Sequence, residues 1–294
     1  MAEHSGNRMV REATGAGLFY PESPGALVEA LRALFDASAD PAPGALAILS
    51  PHGGFAFSGR LSALAWKAAK KRRVATALIL SPLHGADESR IWIPEAAEFQ
   101  TPIGDVPTDL GLLREIESCG TVFEESDIPH LLEHGIEVQL PFLRTLFPGA
   151  RVAPLLVGSP SPAVFSSLVS ALDLVIAERL DELLIVASTD LASVQRGKGA
   201  GRKAAELSEL AIERLRRSDA AALGSPGDGC GPCGSTLLAA LAASRVLDGA
   251  RFETLGSGDS TDAGSGSELR VEAEGDSIVR YAACAWYPER GAIA

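Results

Sequence analysis

Residues 74–84 read Val-Ala-Thr-Ala-Leu-Ile-Leu-Ser-Pro-Leu-His, an apolar run that ends at a proline and delivers a histidine. A strand buried on both faces reads as such a run, because neither face meets water. Two further stretches repeat the pattern. Residues 45–52 (ALAILSPH) run into Pro51-His52, and residues 182–190 (ELLIVASTD) run into Thr189-Asp190. Around them lie segments of helical periodicity at 26–36, 60–71, 108–118, 161–180, 203–218 and 236–249. Strands alternating with helices predict an α/β fold, a single three-layer domain with a largely parallel central sheet. In such a sheet the site lies just beyond the carboxyl ends of the strands. His52, His84 and Asp190 all fall at that edge.

The remaining segments fill in the outline. Residues 90–94 (RIWIP) alternate like a half-exposed strand, and 150–158 form a further strand. Candidate strands at 250–256 and 278–287 close the chain. PHGGFAFSG (51–59) reads as a glycine-rich loop. Ile136, Leu140, Leu143 and Phe147 form a helical stripe across 133–147, with Pro141 interrupting the backbone ladder. One domain is expected over 1–294, with about residues 1–16 as a disordered tail.

The chain has 294 residues and a net charge of −12. That acidity argues against nucleic acid or an anionic membrane as the main partner. No apolar run reaches the ~18 residues of a membrane span, and the N-terminus lacks a signal-peptide core, so a cytoplasmic location is expected. Four cysteines are too few for a disulfide scaffold and are expected reduced.

Several residues carry candidate chemistry. His52 is followed by Gly53, Gly54 and Phe55, and the two glycines allow backbone to approach a ligand closely. His84 leaves its strand in the same manner, and histidines from separate loops often share one metal ion. Asp190 is suited to ligate metal, orient a histidine or act as a base, or else to cap the following segment. Cys230 lies in GDGCGPCGS, before a helix expected near Ser235, where a thiolate is favoured. Cys233 reads as part of a glycine-rich turn. Glu133, His134 and Glu137 form E-H-G-I-E, which is not the H-E-x-x-H zinc motif and fits a charged helix start; with Gly53, Gly54, Phe55 and Ser193 they are expected to line the pocket. Phosphate-loop and dinucleotide fingerprints are absent, and Gly256-Ser-Gly-Asp-Ser fails as a nucleophile elbow for want of its second glycine.

The ordered series GLFYP, PHGGFAFSG, SPLHG, TPIGDV, EHGIEVQLPFL, VAPLLVG, VASTDL and CG resembles the Memo family, whose prokaryotic members are called AmmeMemoRadiSam system protein B. The match runs from about Gly17 to Tyr287, and EHGIEVQLPFL is its most specific block. The resemblance implies a fold similar to class III extradiol dioxygenases. It also implies a site of three histidines and a cysteine that binds iron or copper. Two of the histidines fall on His52 and His84, the cysteine on Cys230 and the family's aspartate on Asp190. Ser193 stands where the third histidine is expected, and Phe55 where the family has tyrosine. A site disabled at Ser193 would hold no metal. Two functions follow: a non-haem iron or copper redox site acting on an unknown small molecule, or a metal-free binding or regulatory module working with a radical-SAM protein.

Overall fold

The apolar run at 74–82 forms the strand around which the sheet is assembled. The computed structural model describes residues 9–224, 231–261 and 277–289. In chain order the strands are β1 (Val10–Arg11), β2 (Ala47–Ser50), β3 (Thr76–Pro82), β4 (Ile91–Ile93), β5 (Glu98–Phe99) and β6 (Val106–Pro107). They continue as β7 (Phe123–Glu125), β8 (Arg151–Val157), β9 (Leu183–Ser188), β10 (Ala192–Gln195), β11 (Arg251–Asp259) and β12 (Ser277–Tyr287). The helices are α1 (Pro24–Ala37), α2 (Phe55–Ala68), α3 (Leu110–Glu117), α4 (Asp127–Leu132) and α5 (Leu140–Leu146). After them come α6 (Pro162–Ala171), α7 (Ala200–Arg216), α8 (Ala220–Leu223) and α9 (Gly231–Ala243).

The main sheet runs β10-β12-β2-β9-β3-β8-β4-β7, with β11 added to β12. Its centre, β2-β9-β3-β8, is parallel throughout. Antiparallel pairs flank that centre, β12 on β2 and β4 on β8. Successive side chains of a strand point to opposite faces, and the two cores divide on that rule. Ile48, Ile79, Val152 and Val186 pack with α1, α2 and α5. Leu49, Leu78, Leu80, Leu155 and Ile185 pack with α3, α6, α7 and α9. The result is the three-layer α/β arrangement with a largely parallel centre.

Several local expectations change. Residues 133–147 are not one helix. α4 stops at Leu132, Glu133 turns extended, a 3-10 turn spans Glu137–Gln139, and α5 begins at Leu140. Pro141 therefore sits in a first helical turn, where its missing N–H costs no hydrogen bond. The helix expected over 161–180 is regular only to Ala171 and continues as a π-helical turn, Leu172–Ile176, and a 3-10 turn, Ala177–Arg179. The glycine-rich loop ends at Gly54, because α2 begins at Phe55. β4 is buried throughout rather than half-exposed, being covered on both faces by the two cores. α9 begins at Gly231, ahead of Ser235. The edge strand β10 carried no recognisable signal.

Residues 9–16 do not belong to a tail. β1 pairs with β5 in a small sheet completed by β6. Arg11 is buried and forms an ion pair with buried Glu137. Its Nε donates to His130 O at 2.7 Å and its Nη2 to Glu133 O at 3.0 Å. Glu137 also accepts from Gly15 N at 2.9 Å and from the Tyr20 hydroxyl. Breaking a buried pair by removing one partner strands the other charge. Arg11→Ala is expected to lower stability by about 3–5 kcal/mol, read as the denaturant midpoint at unchanged m-value. A loss below about 0.5 kcal/mol would show that the pair is not a structural tie.

Candidate metal centre

His52 follows β2 by two residues and is buried. His84 follows β3 by two residues and is exposed, while His134 is half-buried in the break between α4 and the 3-10 turn. One ligand nitrogen from each of the three rings lies within 4.8 Å of the others. The ring centroids are 5.0 Å apart for His52 and His84, 5.4 Å for His52 and His134, and 5.3 Å for His84 and His134. Among the described residues, these three form the cluster suited to a metal ion.

Each ring is held by its Nδ1. That of His52 is 3.1 Å from Ser188 O. Those of His84 and His134 lie 2.9 Å and 3.0 Å from Glu133 Oε2 and Oε1. A carbonyl or a carboxylate can only accept, so each Nδ1 carries a proton, and in the neutral imidazole Nε2 then keeps its lone pair. A metal needs this tautomer, and the anchoring through Nδ1 is how ligating histidines are commonly fixed. The donor set therefore fits a divalent transition metal.

Glu133 organises two of the three rings. Its carboxylate also accepts the backbone N–H groups of His84 (2.8 Å), His134 (2.8 Å) and Gly135 (3.0 Å). Burial by itself would raise its pKa, but the hydrogen bonds from His134 and His84 outweigh that and hold the carboxyl well below its usual range. The hydrogen bond to Glu133 raises His84 against the opposing effect of burial. Burial, reinforced by His134 and His84, holds His52 well below the usual imidazole value.

The backbone around the cluster is fastened by Gln139. Its Oε1 accepts from Ser50 Oγ and Trp66 Nε1, each at 2.8 Å. Its Nε2 donates to Pro51 O and Ser188 Oγ, each at 2.9 Å. The buried amide thus ties the ends of β2 and β9 to the segment carrying His134, and Ser188 Oγ passes the connection to Gly135 O at 2.6 Å. Phe19 covers His134, with ring centroids 4.1 Å apart and planes 11° from parallel. A Cβ at Gly135 would lie 2.1 Å from Ser81 Oγ and 3.0 Å from His52 Nδ1, so only glycine fits there.

Asp190 stands beside the cluster. Its Oδ1 accepts from His52 N at 3.2 Å, and its Oδ2 is 3.6 Å from His52 Nε2. No helix follows for it to cap, since the next element is β10. Burial pushes its pKa up to about 6, with the His52 amide and the charges of His134 and His84 opposing. His52, His84, Asp190 and Ser193 line one cavity of about 1190 Å³.

The other candidates separate. Ser193 is exposed on β10 and lines the cavity outside the histidine cluster. The third imidazole comes instead from His134, expected as a pocket residue rather than as a ligand. Glu137 is not a pocket residue, because the Arg11 pair consumes it in the interior. Phe55 is core, packed against Tyr20 and Phe142. Gly53 serves close packing, since a Cβ there would lie 3.0 Å from Tyr281 Oη, whereas one on Gly54 would meet Phe19 O at an ordinary 3.4 Å. Cys230 lies outside the described residues, although its neighbour Gly231 lines the cavity.

A family model described as Memo-like protein matches residues 11–284. The chain belongs to the Memo family. Relatives in the family include MEMO1 family proteins of Thermotoga maritima, 34% identical over 62% of this chain and 70% of theirs, and of Thermotoga petrophila, 33% identical over the same shares. That of Thermotoga neapolitana is 30% identical over 72% of this chain and 79% of its own. The family block EHGIE now has a physical account: Glu133 clamps two rings, His134 is one of them, Gly135 admits Ser81 and His52, and Glu137 binds Arg11. GLFYP has one as well, in the Phe19 stack and the Tyr20 bond to Glu137.

Replacing the clamp tests this geometry. Glu133→Gln keeps the shape but brings an NH2 group to one ring, whose Nδ1 must then accept. Metal affinity is expected to fall about 10–100-fold, by competition against a chelator. Gly135→Ala is expected to destabilise the fold by about 1–3 kcal/mol through overpacking, read as a lower Tm. An unchanged affinity in the first variant or an unchanged Tm in the second counts against the arrangement.

Proposed function

We propose that the protein is a metalloprotein in which His52, His84 and His134 hold a non-haem iron or copper ion for redox chemistry on a small molecule. The observation that carries this reading is the convergence of one ring nitrogen from each of the three histidines to within 4.8 Å at the edge of the sheet, with all three Nδ1 atoms anchored by acceptors. A structural role would not require three lone pairs to converge beside a large cavity. When bound there, such an ion supplies Lewis acidity and one-electron chemistry at open positions.

The chain's own residues do the rest. Glu133 keeps His84 and His134 in register and balances positive charge gathered at the rings. Ser188 O and Gln139 fix the buried His52 from the opposite strand end. Asp190, the nearest carboxyl to the His52 Nε2 face, is placed to accept or return a proton on the cavity side. Cys230, carried over from the family resemblance, is proposed as a further ligand.

Metal content tests the reading directly. Protein purified without oxygen is expected to carry a single equivalent of iron or copper. His52→Ala and His134→Ala are expected to lose it, while Ser193→Ala keeps it. Chelator treatment is expected to lower Tm, since an ion bound only by the folded state stabilises it. Folded wild type that takes up neither metal overturns the proposal in favour of the metal-free binding module acting with a radical-SAM partner.

A further inference from the structure

One stretch of the chain that lines the large cavity has a composition unlike the rest. Between Asp190 and Glu206, which also line this cavity, residues 191–205 contain Arg196, Lys198, Arg202 and Lys203 and no acid, in a protein that carries 38 acids and a net charge of −12. Lys198, Arg202 and Lys203 line the same cavity as His52, His84 and Asp190. Among the described residues, Lys198 and Lys203 have no ion-pair partner. Arg202 reaches Glu206 only at 3.7 Å, with both side chains largely exposed, a contact of little strength. Surface cations usually alternate with acids and serve solubility. Here three of them border a concave space already edged by two imidazoles, His52 and His84, and by the carboxylates of Asp190 and Glu206.

We propose that this wall receives an oxyanion, so that the ligand of the centre is a small organic anion whose carboxylate or phosphate is held by Lys198, Arg202 and Lys203. The proposal rests on the metal-centre reading for what happens at the other end of that ligand, but not for the binding itself. An overall charge of −12 repels anions from most of the surface. A local cluster of exposed cations at the rim of a cleft offsets that field and concentrates anions at its mouth. Arg202 offers a planar fork that matches either oxyanion, and the two lysines offer point charges on flexible stems. The cavity, about 1190 Å³, is at the upper end of small-molecule sites. A ligand within it can span from the cationic wall to the rings, and a polymer is not required to fill it.

The test uses the full chain, without metal, titrated with inorganic phosphate and separately with succinate, chloride holding the ionic strength constant. Isothermal calorimetry is expected to show saturable binding of at least one probe. The probe that binds assigns the group as phosphate or carboxylate. The double variant Lys198→Gln/Lys203→Gln is expected to weaken that binding by at least about tenfold while its Tm and its iron or copper uptake stay at the wild-type level. His84→Ala is expected to bind the probe as wild type does. Absence of saturable binding by both probes overturns the proposal. So does wild-type affinity in the double variant, or a loss confined to His84→Ala, which would place the anion on the histidines. A wild type that binds the anion but takes up no metal overturns the metal reading alone.

Discussion

Glu133 accepts hydrogen bonds from three backbone amides and from the Nδ1 atoms of two histidines, and the site depends on that convergence. A buried carboxylate without such partners would neutralise itself or destabilise the fold. Here the donors come from two places far apart in sequence, the loop after β3 and the break before the 3-10 turn. Ionisation of one side chain therefore welds two loops together and at the same time sets the tautomer of the rings they carry. The break in the helix is a consequence. Were 133–136 helical, the His134 and Gly135 amides would be committed to the helix ladder and could not turn toward Glu133.

Two further buried polar groups brace this arrangement from behind. Gln139 uses both of its acceptor bonds and both of its donors, joining strand ends that each hold part of the site. Arg11 reaches across from the N-terminal strand to Glu137 and to the carbonyls of His130 and Glu133. Buried networks of this kind specify one arrangement when every member is satisfied. The open side of the site lacks such bracing. His84 is exposed, and the cationic stretch at 196–203, whose nearest acids in sequence are Asp190 and Glu206, borders the cavity. Rigidity lies beneath the rings and accessible charge lies in front of them, as expected for a centre that must hold its ligands and exchange what binds to them.

Much of the fold was legible because buried parallel strands and amphipathic helices leave strong periodic signals. β3 and β9 lie within residues of their expected bounds, and the two-sided burial of the sheet follows from their uninterrupted apolar runs. The failures are informative. β10 is a four-residue antiparallel edge strand, with Ala192 buried, Val194 half-buried and Ser193 and Gln195 exposed, and too short to signal itself. Residues 133–147 show a helical stripe, yet the interior placed a carboxylate at its start that competes for the first amides.

The sequence by itself determined the three-layer α/β class, the edge of the sheet where chemistry belongs, and the placing of His52, His84 and Asp190 there. Those features follow from local chain properties: apolar runs, helix periodicity and the residue that ends each strand. The tertiary structure decided which residues complete the set. It brought in His134 where Ser193 marked a gap, withdrew Glu137 and Phe55 into the interior, and gave Glu133 its role as a clamp. Those outcomes depend on hydrogen bonds spanning tens of residues or more, and on the space at Gly135, neither of which any local pattern records.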